Sequence, residues 1–312
     1  MKQLWATLPL ILMLVCFIVP IQCLVWARKL QRRNKRSPLT AKLLRGPGEQ
    51  LRQELMELHW DLSGYFALLF AFPLLVLAIH LSQSHLADTP ETPFRWFLTG
   101  LMATFGVGYI IFKIWRLGQR RFDLQNGLEA EIAMGQELDQ LMRVGAVVFH
   151  DVPAEGFNID HVVVTRLGVC AVETKARMKP DRGGGKKDAM VHFNGEILSF
   201  PNWRDTDILE QARRQAKWLS KWISSAVGEP IFVKPVVALP GWFVERAGRG
   251  DVMVISGREA PSLLKGFQGA ATALSDQQVT RIAHQLEQRC RDVEPTQYGR
   301  QQKFGRASKQ ST

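Results

Sequence analysis

The chain has few of the residues that tie a domain together covalently. Its 312 residues include four cysteines, Cys16, Cys23, Cys170 and Cys290. No two of them form a Cys-x-x-Cys pair, which excludes the common zinc-ribbon spacing. Two fall in an apolar run, one in an expected buried strand and one in a late helix, so the expectation is a reduced domain without disulfides. No internal repeat is present. Gly183-Gly184-Gly185-Lys186-Lys187 lacks the outer glycine and the following Ser or Thr of a phosphate-binding Walker loop. It reads as a mobile connection from which Arg182, Lys186 and Lys187 can touch a nucleic-acid backbone.

Charge is missing from three long stretches. Residues 4–26 carry none, over a length that exceeds the roughly 20 residues needed to cross a bilayer. A second run, 62–81, holds only Pro73 and His80 as polar or helix-breaking interruptions, and a third, 96–114, has Lys113 near its end, where the side chain can snorkel. Trp5, Trp26, Trp60, Trp96 and Trp115 stand at the expected ends, where indoles suit the interface. The first run has only Lys2 ahead of it and no small-x-small cleavage site before the basic block, so it reads as an anchor rather than a cleaved signal. The expectation is a membrane region, 1–118, with three transmembrane helices and the lipid bilayer as a partner.

Basic residues set the expected orientation. Arg28, Lys29, Arg32, Arg33, Lys35 and Arg36 follow the first run, Arg116, Arg120 and Arg121 follow the third, and the connection 83–95 holds Asp88 and Glu91 with one Arg. By the positive-inside rule the N-terminus lies outside and everything after Arg116 lies in the cytoplasm, as in an integral protein of a bacterial inner membrane. Much of the net charge of +11 is therefore topogenic, and it is not by itself a sign of nucleic-acid binding.

From about Asp123 the pattern becomes that of an α/β domain, expected over 119–294. Apolar spacing predicts a helix over 128–143, and strands follow at 146–149, 161–165 and 169–173. Asn194-Gly195 marks a hairpin turn, a long helix runs from Asp207 to about Ala226, and 232–239 and 252–255 read as further strands. Ser275-Asp276-Gln277-Gln278 resembles a capping box that opens a last helix. The tail 295–312 is polar and basic and is expected to be disordered.

Within this domain Asn158-Ile159-Asp160-His161 is followed by Val172-Glu173-Thr174-Lys175. Alternation in a strand points Glu173 and Lys175 the same way, and a turn at Arg166-Leu167-Gly168 brings Asp160 beside them. Two carboxylates and an ammonium on one sheet suit a divalent cation with hard oxygen ligands and open positions for water and phosphate. Asp160 and Glu173 are the expected metal ligands, for Mg²⁺ or Mn²⁺, and Lys175 would position water and contact phosphate. Alone, Glu-x-Lys also reads as an ordinary surface pair on an edge strand. His161 points away from the Asp160 face and reads as packed or hydrogen-bonded. Arg213, Arg214, Lys217 and Lys221 are helix charges that either meet water or line a phosphate track. Trp218 and Trp222 read as packing.

The order Gly127-x-x-Ala130-Glu131, Ile159-Asp160-His161, Gly168-Val169, Glu173-Thr174-Lys175 and a helix containing Gln211 resembles the nuclease-related domain, NERD, of the PD-(D/E)xK superfamily. The resemblance implies a restriction-endonuclease-like mixed sheet flanked by helices. It adds Glu131, as a water-mediated ligand or base, and Gln211, as a site-facing residue, to Asp160, Glu173 and Lys175. The implied activity is a membrane-anchored, metal-dependent nuclease acting on DNA, with weak backbone contacts from Lys186, Lys187, Arg214 and Lys217. A catalytically silent scaffold that recruits nucleic acid or protein to the membrane, or a restrained stress or defence sensor, is the alternative.

Overall fold

The computed structural model describes residues 2–32, 38–39, 41–86, 90–248, 250–265 and 273–294. The expected tail, 295–312, lies outside the described residues. The chain forms two compact units: one holds Met1–Ala41, Met56–Phe122 and Glu294–Thr312, and the other holds Lys42–Leu55 and Asp123–Val293.

Helix α1 (Lys2–Arg32) contains the expected first span, although many of its side chains lie outside the described residues. Strand β1 (Leu43–Leu44) precedes helices α2 (Glu49–Leu86) and α3 (Pro93–Asp139). Among the described residues two helical stretches, Glu49–Ser84 and Pro93–Val144, are long and apolar enough to cross a membrane, rather than the three expected. Large apolar side chains on them, Phe70 and Phe105 among others, are exposed. In the first unit the His80 ring accepts or donates a hydrogen bond at Nδ1 with the Thr99 hydroxyl, 2.7 Å away, and so ties α2 to α3.

Two boundaries differ from the expectation. The helix expected over 128–143 is not separate: no proline interrupts the basic stretch after Trp115, so α3 runs unbroken to Asp139 and ends in a short 3₁₀ turn, Gln140–Val144. Lys42–Leu55, expected with the membrane region, belongs to the second unit. Close approach by glycine permits this. Gly135 of α3 lies where a Cβ would stand 2.9 Å from Pro47 Cβ. Gly48 stands at φ +70°, where a side chain would be strained and would have to displace the tip of Leu128, 2.3 Å from the Cβ position.

The second unit continues with β2 (Val147–Pro153), β3 (Asn158–Thr165) and β4 (Gly168–Thr174). The hairpin strands β5 (Met190–Phe193) and β6 (Leu198–Ser199) flank Asn194-Gly195 as expected, and β7 (Arg204–Asp205) leads into α4 (Asp207–Val227). Strands β8 (Val233–Leu239), β9 (Phe243–Arg246) and β10 (Met253–Ser256), the short α5 (Ser262–Lys265), α6 (Asp276–Cys290) and β11 (Arg291–Val293) complete it. The main sheet is mixed, in the order β10-β8-β4-β3-β2, with β2, β3 and β4 antiparallel and β4, β8 and β10 parallel.

Strand alternation divides the core between the two faces of this sheet. Val162, Val164, Val169 and Ala171 pack on Ala216, Leu219 and Ile223 of α4 and on Ile282 and Leu286 of α6. Val148, Val163, Cys170 and Val172 pack on Met134 and Leu138 of α3. A smaller sheet, β7-β6-β5-β9, closes over the start of α4 with Phe200 and Trp242. This is the expected mixed α/β sheet flanked by helices. Strand β1 pairs with β11, so the segment before α2 closes against the last strand of the unit.

Candidate active site

Strand β4 is central, with β3 on one side and β8 on the other. Glu173 near its end is 2% exposed, which removes the reading of Glu173 and Lys175 as a surface pair on an edge. The ladder pairs His161 with Val172, so the next step sets Asp160 opposite Glu173. Between β2 and β3 it pairs His150 with His161 and Val152 with Ile159, which leaves Asp151 opposite Asp160. Three acids therefore form a row across three neighbouring strands. With Glu131 of α3 they line a cavity of about 700 Å³ that also takes in Gln50, Asn158, Lys175, Arg177, Met178 and Gln211.

The Asp160 and Glu173 carboxylates are held by named donors. Asp160 Oδ2 accepts the Thr174 N–H at 2.6 Å, which ties β3 to the end of β4. Glu173 Oε1 accepts the Gln211 amide at 2.8 Å and pairs with the Lys175 ammonium. Glu173 Oε2 accepts the Gln215 amide at 2.5 Å. Gln211 and Gln215 are one turn apart, so α4 presents both to the same carboxylate. Lys175 keeps its place because its backbone N–H continues the ladder to Ala238 O at 2.9 Å.

Electrostatics set this corner apart. Burial, then the Asp151 and Glu173 charges, push the Glu131 carboxyl up to about 8 against the pull of Lys175. Burial, with Glu173 and Glu131 adding to it, raises Asp160 well above the ordinary aspartate range. Carboxylates that destabilise one another's charge are a cluster short of positive charge. Gln215 Oε1 and Thr174 Oγ1 are buried without a hydrogen-bond partner. The oxygens of Glu131, Asp160 and Glu173 are of the hard type that divalent cations take. As placed, among the described residues, no three His, Cys, Asp or Glu side chains converge on a single metal position.

The structure thus brings Glu131, Asp160, Glu173, Lys175 and Gln211 to one cavity. It leaves the basic residues apart from them. Lys186 and Lys187 lie on a 3₁₀ turn, Gly185–Ala189, with the Lys186 ammonium 4.9 Å from the centre of the Phe243 ring. The glycine run before them is closed by Asp188, which accepts the N–H of Arg182 at 3.0 Å and of Gly184 at 2.8 Å, instead of the open connection expected. Arg214 is exposed on α4, and Lys217 lines a separate groove with Arg213, Lys221 and Phe232. Arg213 forms a two-point ion pair with Asp251. Trp218 and Trp222 stack on each other and carry the Arg289 guanidinium, so they are packing residues, as expected.

Sequence reasoning missed Asp151, Asn158 and Gln50 and underrated Gln215. A signal for Asp151 existed. Ala154-Glu155-Gly156-Phe157 is a turn between two runs, and counting back from Asp160 across it reaches Asp151. Comparison with curated proteins and with solved structures finds no match. Comparison with protein families matches one, at residues 126–240, and that span covers all five expected site residues together with Asp151, Asn158 and Gln215. Residues 126–240 match the nuclease-related domain family, NERD.

Proposed function

We propose that the chain is a membrane-anchored nuclease that hydrolyses phosphodiester bonds, in DNA, with Mg²⁺ or Mn²⁺ held by Asp160 and Glu173. The observation that carries this reading is the convergence, inside a nuclease-related domain, of Glu131, Asp160, Glu173 and Lys175 on one open cavity. A bound divalent cation would lower the pKa of water and offset charge on the phosphoryl oxygens. Lys175 directs its ammonium beside Glu173, where it would orient the attacking water and neutralise a phosphate oxygen. Glu131 has the raised pKa of a group that can take a proton near neutral pH, a base for that water. Gln211 and Gln215 fix the Glu173 carboxylate. Lys186, Lys187, Arg214 and Lys217 would meet the nucleic-acid backbone outside the cavity.

Anchoring follows from the two long apolar helices, and the basic flanks orient them with the domain in the cytoplasm of a bacterium and the N-terminus outside. Lys42–Leu55 and Asp123–Val293 form one unit, and the chain between them contributes two apolar helices, an even number that returns it to the same side. One observation favours a second reading, a silent scaffold: the Glu173 carboxylate is already engaged by Lys175, Gln211 and Gln215.

The test is incubation of the full chain in detergent with plasmid, linear and branched DNA and with RNA, with and without Mg²⁺ or Mn²⁺. A fragment starting at Gln119 would omit Arg45 and Gln50, so the full chain is needed. Metal-dependent cutting that Glu173→Gln abolishes supports the enzyme. Tight DNA binding with no cutting under any metal supports the scaffold. Tags after Thr312 should report cytoplasm and a reporter within 83–95 the outside; protease access to the C-terminal domain in intact cells would overturn the orientation.

A further inference from the structure

Asp151 is the one acid of the cavity row that the nuclease pattern leaves without a role. It is 3% exposed and stands at φ 49°, a left-handed backbone that a non-glycine residue holds only where its surroundings enforce it. Three donors converge on its carboxylate. Oδ2 accepts the Gln50 backbone N–H at 2.8 Å and the Arg45 guanidinium at 3.1 Å, and Oδ1 accepts the Asn158 amide at 2.7 Å. Gln50 is in the first turn of α2, where backbone N–H groups lack helical partners, so Asp151 serves as its cap from a distant strand.

The chain of contacts continues inward. The Asn158 amide also donates to Gln50 Oε1. The Asn158 carbonyl accepts the Gln215 amide at 3.2 Å, and the same Gln215 nitrogen donates to Glu173 Oε2 at 2.5 Å. One amide is thus shared between the backbone that Asp151 pins and the carboxylate assigned to the metal. Displacing Asn158 would turn or release Gln215, and with it one of the two Glu173 oxygens. Hydrogen-bonded networks of this kind fix the geometry of the groups they end on.

We infer that Asp151 is a positioning residue of this site, held by Arg45 and by the Gln50 N–H at the start of α2 and acting on Glu173 through Asn158 and Gln215. The inference rests on the metal-site reading of Asp160 and Glu173. It makes the site bipartite, because Arg45 lies just before the first apolar helix and Gln50 in its first turn, whereas Asp151, Asn158, Gln215 and Glu173 lie after the second. Gly48 supports the same arrangement: it lets the segment approach until a Cβ there would stand 3.6 Å from Glu131 Oε2.

Arg45 supplies the control. Its Nε and Nη2 form a two-point pair, both at 2.8 Å, with Asp292, which does not line the cavity. Asp292→Asn therefore removes a charge from the other partner of the same arginine while every contact to the Asp151 carboxylate stays in place. The test uses the full chain in detergent, with Mn²⁺ affinity read by electron paramagnetic resonance and plasmid cleavage read in parallel.

Asp151→Asn and Asn158→Ala should each weaken Mn²⁺ binding by about 10- to 100-fold, the range for losing a group that orients a ligand. Asp292→Asn should leave the affinity at the parent value. If Asp151→Asn does not fold, Asn158→Ala breaks the Asp151–Asn158 bond from its other end and decides the matter. Parent-like affinity in the Asp151 and Asn158 variants overturns the positioning role, as does an equal loss in Asp292→Asn. A parent that binds Mn²⁺ but cuts nothing sinks the nuclease reading alone, and the affinity comparison then still decides the role of Asp151. A parent that binds no Mn²⁺ overturns both.

Discussion

Two adjacent rows of polar residues cross β2, β3 and β4 and differ in almost every physical respect. One row is Asp151, Asp160 and Glu173, on the open cavity. The next is the pair His150 and His161, one residue further along and on the opposite face, against α3. The histidines meet each other: their Nδ1 atoms lie 2.9 Å apart and His150 Nε2 lies 3.1 Å from Asp139 Oδ1, while His161 Nε2 is buried without a hydrogen-bond partner. Burial holds both below the ordinary histidine range. In the acid row burial raises Asp151 and Asp160, and neighbouring carboxylates add to the rise at Asp160. The same sheet thus builds a closed polar contact that stabilises it and an open cluster that strains it. That contrast separates a packing role from a chemical one, since strain of this kind collects at functional sites.

The comparison is tested most severely by substituting one member of each row. Glu173→Gln should cut cleavage by roughly 10²–10⁴-fold, because it removes a ligand charge while keeping the shape of the side chain, with the fold retained. His161→Ala should do the reverse. It leaves the His150 ring without its buried partner and should cost about 1–3 kcal/mol of stability, with cleavage per folded molecule retained. A loss of turnover in His161→Ala as deep as in Glu173→Gln would erase the distinction between the rows. Thermal unfolding and plasmid cleavage on the same preparations measure both.

A smaller effect sharpens the acid row internally. Lys175→Met keeps the stem that packs on the sheet and removes the charge beside Glu173. Turnover should fall by on the order of a hundredfold, while Mn²⁺ binding survives. If Lys175 is only one phosphate contact of a scaffold, DNA binding should instead lose about one unit of salt slope with no turnover to lose.

The sequence made the acid row partly visible because strand alternation is a strong local rule. Asp160, Glu173 and Lys175 lie on two strands joined by the two-residue turn Arg166-Leu167, so their convergence follows from counting. The same counting placed His161 on the other face. Asp151 escaped because its strand ends in Asp-Val-Pro, a pattern that reads as a strand end, and because a left-handed aspartate leaves no mark in composition. Arg45 and Gln50 escaped for a different reason: they are 106 and 101 residues from Asp151 in sequence, across the apolar helices. The length of α3 was missed because an apolar stretch and an amphipathic one were read as two helices, when nothing between them stops the first.

The smallest effect is on stability, and it has opposite signs for the two rows. Glu131, which shares the cavity with the acid row, has its pKa raised from 4.5 to about 8. A raised acid keeps its proton longer in the folded state, so its contribution to stability is fully present below 4.5 and is lost as pH rises through about 8. Asp160 and Asp151 are shifted in the same direction. His150 and His161 are lowered from 6.5, so their contribution is present above 6.5 and is lost as pH falls through the folded values. The metal-free chain should therefore lose stability on the alkaline side through its carboxylates and on the acid side through its histidines. Melting temperatures from about pH 5 to about pH 9 should show Glu131→Gln flattening the alkaline limb alone. Mn²⁺ should do the same to the parent, because a cation among the carboxylates favours their charged forms and leaves the sealed histidines unchanged. Equal shifts on both limbs with Mn²⁺ would place the ion elsewhere and remove the cavity as its site.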